Sequence, residues 1–426
     1  MTEAKRELRL FDVFCIGVNT IVGSGIFILP ATLAGLVGDA SPFAFGLAAL
    51  SALAIGACLA ELAGRFDRTG GPMVYAREGF GPAAGFAVGW LNFLALVVSW
   101  AAVARGVGGY LARYWSALGT ESGEAAVAVA IVAAFTAVNY VGIKPAAWIT
   151  DAFTVGKLLP LLLLAAVGLY VADFSEVRFE AAPMHSWARA WFLCMFAMGG
   201  YEQVGVPAGE TKNPMRSVPI GILGSVAGAS LLYLAVQGAA VALVPDLAHS
   251  RAPLADAAQV AVGSAGAALL TVGAAVSMTG YTSGAAILTP RSLLALAEVG
   301  DLPRWLAAPH PRFGTPYRTI LATGAIAIVL AASAGFAALA DFGMVATLLC
   351  YSGSAASLLV LRKRTDLPPP RFRLPFAWFV CPLAVVIGLA LATTAGRKDF
   401  LAAIALLAAG LALRFVFRRF AAASGS

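Results

Sequence analysis

Long runs of apolar residues recur along the whole chain, and short polar segments separate them. Most of these runs hold about 20 residues or more, the length of helix that crosses the hydrocarbon core of a bilayer. This pattern predicts an all-α polytopic membrane protein with about twelve transmembrane helices. The predicted spans are 11–36, 42–65, 82–112, 124–143, 148–172, 187–209, 217–244, 262–298, 317–335, 338–361, 376–395 and 399–417.

The composition agrees with a membrane protein. Hydrophobic residues make up 60% of the 426 residues and charged residues 12%, which is about half the charged fraction of soluble domains. The five cysteines lie in or beside apolar segments without paired spacing, a pattern typical of small buried hydrophobes. The three histidines fall in predicted loops. We therefore predict no cofactor, disulfide or metal site.

The formal charge of +7 reflects membrane topology and does not indicate nucleic acid binding. Basic residues lie in short loops, with no basic domain or nucleic acid motif. With a cytoplasmic N-terminus, about 21 lysines and arginines face the cytoplasm and about six face the other side. The positive-inside rule therefore predicts an integral protein of the plasma (inner) membrane with both termini in the cytoplasm. The remaining two basic residues, Arg105 and Lys157, lie within spans.

Span 1 carries a glycine-rich break at Gly23-Ser24-Gly25, near mid-membrane. Glycine is poor at holding a helix interior, so the pair invites local unwinding. A half-helix that starts near Ser24 would direct its free amides and its positive dipole end at a substrate carboxylate. Close helix packing through small residues explains the same glycines. Both interpretations stay open on span 1 alone.

Span 6 carries a matching break at Gly199-Gly200, which Glu202 follows. The free carbonyls of the first half-helix would suit an ammonium group, and Phe196 could close over the substrate as an aromatic lid. A carboxylate within a span is a functional candidate. The alternative is that Glu202 is a structural partner of Arg105 or of the backbone. The shared layout in opposite halves of the chain predicts an inverted repeat.

These motifs resemble those of amino acid permeases of the amino acid–polyamine–organocation (APC) superfamily. The residues that carry the resemblance are Gly23-Ser-Gly-Ile-Phe27 with Pro30, Gly200-Tyr-Glu202, Gly209-Glu-Thr-Lys-Asn-Pro214, Gly300-Asp-Leu-Pro303 and Leu361-Arg-Lys-Arg364. The resemblance implies a LeuT-type fold in one domain over 1–426, with inverted five-helix repeats at about 11–172 and 187–361 and two extra helices at about 376–417. It also implies a set of positions that bind the substrate: Thr20, Gly23, Ser24, Gly25, Ile26, Phe196, Ala197, Gly199 and Gly200.

The two basic residues within spans are candidates for coupling or gating, together with Glu202. Lys157 lies about six residues inside span 5, near where sodium-coupled relatives hold a sodium ion. The resemblance implies that its ammonium replaces that ion, because a buried lysine can gain and lose a proton. The alternative is a lysine that snorkels to the cytoplasmic surface. Arg105 departs from the family pattern, and three roles stay open: pairing with Glu202, binding a second substrate carboxylate, or reaching the outer surface.

The sequence predicts a secondary transporter that moves an amino acid with a neutral side chain by alternating access. It further predicts sodium-independent transport, as proton-coupled transport or exchange. A polyamine or another organic cation is the alternative cargo, but it would favour more carboxylates than Glu202. A membrane-embedded enzyme would need paired catalytic residues within spans, and none is visible. We therefore predict no enzymatic activity, and the predicted partners are the amino acid and membrane lipid.

Overall fold

The chain folds into α-helices throughout the part that the computed structural model describes, which is residue 6, residues 8–112 and residues 115–423, without the side chains of 143–151, 176, 210 and 420–423. The α-helices of this part are α1 Leu10–Ile21, α2 Gly25–Val37, α3 Ser41–Ala63, α4 Pro72–Phe80, α5 Pro82–Leu111, α6 Glu121–Val141, α7 Ile143–Val171, α8 Met184–Met198, α9 Pro214–Leu243, α10 Pro253–Glu298, α11 Tyr317–Ser333, α12 Phe336–Leu361, α13 Ala377–Ala392 and α14 Arg397–Ala423. The only β-type pairing in this part is a single bridge between Leu8 and Thr211. The prediction of an all-α polytopic membrane protein is confirmed.

Eight segments of the described chain are long and apolar enough to cross a bilayer. They are Gly25–Ala63, Pro82–Leu111, Glu121–Val141, Ala152–Val171, Pro214–Leu243, Pro253–Glu298, Phe336–Leu361 and Arg397–Arg419. Shorter apolar helices are Leu10–Ile21, Tyr317–Ser333 and Ala377–Ala392. Because breaks divide some spans into halves shorter than a bilayer, length alone does not count the spans, and the number twelve stays a prediction.

Two helical segments were not predicted from the apolar pattern. The first is α4, whose nine residues are too few to cross a membrane. The second is the start of α10, which begins at Pro253, nine residues before the predicted span at 262–298. The backbone leaves helical geometry at Gly263, where φ is +75°. The apolar pattern detected the part that follows this kink and missed the shorter helix that precedes it.

Packing between helices pairs the two halves of the chain. Helix α1 packs against α9 and α8 packs against α3, while α12 packs against α5 and α7 packs against α10. The helices α1, α3, α5 and α7 correspond in order to α8, α9, α10 and α12. Under this correspondence the contact of α1 with α9 becomes that of α8 with α3, and the contact of α5 with α12 becomes that of α10 with α7. We propose on this basis that 11–172 and 187–361 form the two inverted repeats, with the helices at 376–417 added to them.

Burial separates central from peripheral helices. In the most apolar windows of α5 and α12, 83% and 72% of residues are buried inside the protein. The corresponding values for α6 and α14 are 22% and 11%, so these two helices face the lipid. Helices α5 and α12 therefore form the centre of the bundle, where α2 contacts α5 and α8 contacts α12.

Candidate functional site

The first span is interrupted between Ile21, where α1 ends, and Gly25, where α2 begins. A helix end leaves backbone groups without partners inside the helix. At the end of α1, the Lys157 ammonium satisfies the carbonyls of Asn19 and Val22, at 2.9 and 2.7 Å. The break is thus stabilised by a side chain from another helix, and it is not simply a consequence of glycine content.

Ser24 lies at the N-terminal end of α2, beside the break. Its hydroxyl oxygen is buried and has no hydrogen-bond partner, and the side chain does not cap the helix. The amides of Gly25 and Ile26 open α2, so they lack acceptors within the helix. These donors and the positive end of the helix dipole favour an anionic ligand. A carboxylate bound here would satisfy the Ser24 hydroxyl and the opening amides together.

The second break lies between Met198, where α8 ends, and a short 3₁₀ turn over Tyr201–Gly205. Gly200 has a φ of +113°, a left-handed conformation that favours glycine. A Cβ at Gly200 would lie 2.5 Å from the carbonyl oxygen of Thr20, so this position also has no room for a side chain. The last carbonyls of a helix lack donors and form the negative end of its dipole, which favours a cationic group.

The two breaks lie directly against each other. In addition to the contact between Gly200 and Thr20, a Cβ at Gly25 would lie 2.6 Å from the Cα atom of Ala197. Backbone therefore packs on backbone, as small residues allow. A cavity borders both helix ends. Its lining residues are Thr20, Ile21, Gly23, Ser24, Gly25, Ala95, Leu96, Ser99, Val103, Phe196, Ala197, Gly199, Gly200, Glu202, Gln203, Tyr281, Ala285, Leu288, Met344 and Thr347.

Most positions that the sequence suggested for binding line this cavity. They are Thr20, Gly23, Ser24, Gly25, Phe196, Ala197, Gly199 and Gly200. Ile26 lies outside the lining, and its side chain is fully buried in the core. Of the coupling or gating candidates, Glu202 lines the cavity, whereas Lys157 and Arg105 lie outside it.

Besides Gln203, which lies beside the second break, three polar lining residues were not predicted as binding residues. Ser99 lies on α5, Tyr281 on α10 and Thr347 on α12. Each lies in an uninterrupted helical stretch, so no local break marks it, and only the packing of distant helices directs it to the cavity.

Glu202 is at the centre of a buried polar network beside the second break. Its Oε2 atom accepts hydrogen bonds from the Gly200 amide at 3.0 Å and from the Tyr351 hydroxyl at 2.5 Å. Its Oε1 atom accepts a hydrogen bond from Gln203 at 3.0 Å, and the same Gln203 amide group donates to Asn92 at 2.8 Å. Glu202 therefore bonds to the backbone and to neutral side chains. It holds the Gly200 turn in place while it also lines the cavity.

Lys157 lies behind the first break and is fully buried. Besides the carbonyls of Asn19 and Val22, its ammonium contacts the side-chain oxygen of Asn19 at 2.5 Å. Ser277 on α10 donates to the same Val22 carbonyl at 3.2 Å. The side chain thus points into the protein and does not snorkel to the surface. It joins α7 to the unwound segment of span 1.

Arg105 is also buried, but it lies away from the cavity. Its Nε atom donates to the carbonyl of Ala334 at 3.0 Å, and its Nη1 atom donates to the carbonyl of Glu121 at 2.6 Å. These carbonyls belong to the C-terminal end of α11 and the start of α6. No ion pair with Glu202 is formed in the described structure. Arg105 therefore joins α5 to the ends of two peripheral helices.

Ala334, one of the two residues whose carbonyls bind Arg105, lies two residues before Phe336. The Phe336 ring packs edge-on against Phe196, with 5.9 Å between the ring centroids. Phe196 lines the cavity, so Phe336 supports one wall of it from outside. Arg105 thereby positions the turn between α11 and α12 that carries this supporting ring.

Ion pairs join the helix ends on the side where α3 ends and α5 begins. The fully buried Glu61 pairs with Arg65 and Arg362 and accepts the Leu374 amide at 2.8 Å. The segment at 367–375 that follows α12 is thereby attached to α3.

Two further carboxylates on this side bind pairs of arginines. Asp301 accepts hydrogen bonds from Arg77 at 2.9 Å and from Arg414 at 2.7 Å. Glu78 on α4 pairs with Arg68 and Arg364. The hydrogen bond from the Arg68 guanidinium is the main cause that holds the pKa of Glu78 below its ordinary value. These contacts attach α4 and α14 to the remainder of the helical bundle.

The chain matches known transporters over nearly its full length. Residues 8–419 match the sequence model of a family described as amino acid permease. An uncharacterized transporter of Mycobacterium tuberculosis is 33% identical over 399 residues, which cover 92% of this chain and 88% of the relative. The branched-chain amino acid permease BcaP of Bacillus subtilis is 27% identical, with 97% and 93% covered. The methylthioribose transporter of the same species is 26% identical, with 97% and 94% covered.

Proposed function

We propose that the chain, which belongs to the amino acid permease family, is a secondary transporter. It carries a small neutral amino acid through the cavity between the two helix breaks. The observation that supports this most directly is a pair of opposed helix ends at one cavity. The opening amides of α2 and the unpartnered Ser24 hydroxyl suit a carboxylate, and the closing carbonyls of α8 suit an ammonium group. A zwitterion carries both groups on one carbon atom.

The charge of the cavity favours a neutral side chain on the cargo. Among the described residues of the lining Glu202 is the only charged one, and it already accepts hydrogen bonds from Gly200, Tyr351 and Gln203. A second ammonium group would compete with these donors, and a second carboxylate would find no cation. Burying an unpaired charge costs far more than burying an apolar group. The lining therefore disfavours polyamines, and it agrees with the branched-chain cargo in the name of one relative.

The contacts of Lys157 support sodium-independent transport. Its ammonium donates to the carbonyls of Asn19 and Val22, which are oxygen atoms of the kind that a sodium ion would need. A fixed cation at this place leaves those oxygens occupied. We propose that the transport cycle is driven by proton binding and release at Lys157 or by exchange of one amino acid for another. Loss of the proton would weaken the hydrogen bonds that join Lys157 of α7 to span 1.

The distribution of basic residues supports a plasma (inner) membrane location with both termini in the cytoplasm. In this orientation the ion pairs of Glu61, Glu78 and Asp301 lie at the cytoplasmic face, and the contacts of Arg105 lie toward the opposite face. The cavity lies between these two sets of contacts. Alternating access then requires that the contacts at one face break while the contacts at the other face stay formed.

Uptake into proteoliposomes tests the proposed cargo and coupling. The panel contains labelled neutral, cationic and anionic amino acids, a polyamine and methylthioribose, each with an imposed proton or sodium gradient. We expect uptake of at least one neutral amino acid, stimulated by an inward proton gradient or by unlabelled amino acid inside, and unchanged by sodium. Uptake of the polyamine or methylthioribose alone would show that the cargo is wrong. Strict dependence on sodium would contradict the coupling, and no uptake, exchange or binding of any amino acid would refute the proposal.

Arg105→Met is expected to reduce the maximal rate of transport by about tenfold, because two buried carbonyls lose their donor at about 1–3 kcal/mol each. Arg105 does not line the cavity, so we expect the KM for the amino acid to stay within about twofold. Initial rates over a range of amino acid concentrations separate the two quantities. Arg105→Lys keeps a donor and should recover part of the rate. A rise in KM with an unchanged maximal rate would instead indicate direct contact with the substrate.

A further inference from the structure

A groove on the lipid-facing side of the protein lies between α6 and α11. It has a volume of about 630 Å³, within the range of about 300–1,000 Å³ that is usual for ligand pockets. Its walls are formed by residues of 133–141 on α6 and of 321–328 on α11. Since α6 exposes most of its surface, the groove opens toward lipid and is separate from the cavity at the helix breaks.

The walls of the groove suit a hydrocarbon chain. Apart from Thr136 and Tyr140, the lining residues are alanine, glycine, valine, leucine and isoleucine. The Thr136 hydroxyl donates to the carbonyl of Val132 at 2.7 Å, so it is satisfied within its own helix. The two helices approach closely at Gly324, where a Cβ would lie 2.6 Å from the Thr136 side chain. The groove therefore offers apolar contact along its length and a narrow floor.

Aromatic side chains surround the end of the groove where α6 ends and α11 begins. The Tyr140 ring lies 5.3 Å from His310, 6.1 Å from Phe313 and 6.2 Å from Tyr317, measured between ring centroids. We call these four residues the rim cluster. Nearby, the Trp305 side chain is 58% exposed. Aromatic rings of this kind are enriched where the hydrocarbon core of a membrane meets the headgroups.

Two arginines beside the rim cluster, Arg312 and Arg318, carry positive charge, and neither forms an ion pair with a carboxylate of the described residues. The Arg312 guanidinium lies 5.4 Å from the Phe313 ring, and the Arg318 guanidinium lies 5.4 Å from the Tyr317 ring. Arg318 is further held by the carbonyl of Trp305 at 2.9 Å. The sequence from 302 to 340 contains no aspartate or glutamate. No ion pair involves either arginine among the residues that the structure describes, unlike the arginines that bind Glu61, Glu78 and Asp301.

These observations together identify the chemistry of a ligand. Its apolar part must be long and flexible enough to follow a groove between two helices, and its charged part must be an anion at the rim. Basic sites between helices at the cytoplasmic face bind acidic headgroups, and each lysine or arginine adds to the attraction for an anionic leaflet. We propose that one anionic phospholipid of the cytoplasmic leaflet binds here, with an acyl chain between α6 and α11 and its phosphate at Arg312 and Arg318.

The bound lipid would affect the protein beyond its own site. Helices α6 and α11 both pack against α5, which lines the cavity. Arg105 of α5 also holds the far ends of the same two helices. A lipid that fills the groove would stabilise this pair against α5. The inference rests on the proposed membrane orientation, but it does not depend on the identity of the cargo.

Lipid retention measured by native mass spectrometry tests the proposal without any transport assay. Purified protein in detergent is titrated with phosphatidylglycerol or with phosphatidylcholine of the same acyl chains. We expect at least about tenfold tighter retention of phosphatidylglycerol, and the double variant Arg312→Gln/Arg318→Gln should lose this preference. Ala325→Trp fills the groove from an exposed position and should reduce retention of phosphatidylglycerol by about tenfold with both arginines in place.

Matched controls introduce the same kinds of substitution at positions away from the groove. Arg397→Gln/Lys398→Gln removes two exposed charges, and Ala405→Trp adds the same ring to an exposed position on α14. Both should retain phosphatidylglycerol as the wild type does. Equal retention of the two lipids by the wild type, or unchanged retention in both groove variants, would overturn the proposal. Competition by glycerol phosphate as strong as by the intact lipid would show a simple anion site and overturn the lipid assignment.

Discussion

Lys157→Met is expected to reduce amino acid uptake by about 100-fold and to remove its dependence on an inward proton gradient. The variant keeps the length of the side chain but removes the ammonium that binds the carbonyl and side-chain oxygens of Asn19, while the Val22 carbonyl keeps the hydroxyl of Ser277 as a donor. Each buried acceptor left without a donor costs about 1–3 kcal/mol, and about 1.4 kcal/mol corresponds to a factor of ten. The break in span 1 would then lose the contact that holds α1 to α7. Uptake at several external pH values, with and without the gradient, measures both effects.

Two comparisons separate a role in coupling from a general loss of folding. Lys398→Met removes an exposed lysine at the start of α14 and should leave uptake and its pH profile unchanged. The thermal unfolding temperature and the amino acid affinity of Lys157→Met, measured in detergent, report whether the cavity still forms. A Lys157→Met protein that transports within about twofold of the wild type with the same pH profile would exclude Lys157 from coupling.

Gly25→Ala is expected to weaken amino acid binding by about 30-fold or more. The added Cβ would lie 2.6 Å from the Cα and Cβ atoms of Ala197, which belong to the backbone and short side chain of α8 and have little freedom to move. Separating α2 from α8 moves the opening amides of one helix away from the closing carbonyls of the other. A ligand that must contact both ends then loses one set of contacts, and each is worth about 1.5–3 kcal/mol when a charge is involved. Equilibrium binding of a labelled neutral amino acid in detergent measures the loss.

Gly35→Ala is the matched control, because it introduces the same methyl group in the same helix. Its Cβ would meet only Ala248, at an ordinary contact distance of 3.8 Å. We expect unchanged binding and a stability equal to or slightly above that of the wild type, since alanine favours a helix over glycine by about 1 kcal/mol. If Gly25→Ala bound the amino acid as well as Gly35→Ala does, close approach of α2 and α8 would not be a requirement of the site.

The sequence predicted the helical spans well, because a membrane requires long apolar runs and the backbone must bond within each helix. It failed where a helix does not need to be apolar along its length. Helix α4 carries the charged residues Arg77 and Glu78, so the apolar pattern did not predict a helix there. The helix before Gly263 is separated from the span that follows by one residue with positive φ, which the apolar pattern does not reveal. Helix α4 is held by ion pairs of Arg77 and Glu78 with residues far away in the chain.

The candidate site divides in the same way between local and distant causes. Gly23, Gly25 and Gly200 were recognised because glycine affects its own stretch of backbone, whatever surrounds it. Ser99 and Thr347 were missed because the sequence of an uninterrupted helix does not reveal which of its hydroxyl groups point into a cavity. For Arg105, the sequence left three roles open, since a buried guanidinium finds its acceptors among residues far away in the chain.

The sequence by itself therefore determined the class of protein, its long apolar helices and the places where two of them break, while the number of spans stays a prediction. These properties depend on hydropathy and on backbone freedom, which neighbouring residues decide. Only the tertiary structure decided that the breaks face each other across one cavity and that Lys157 satisfies the carbonyls of span 1. The same holds for the contact of Arg105 with the ends of two other helices. The contacts of Lys157 with span 1 and of Arg105 with Ala334 join residues more than 100 positions apart, and the contact of Arg105 with Glu121 joins two different helices. Packing between helices selects all of them.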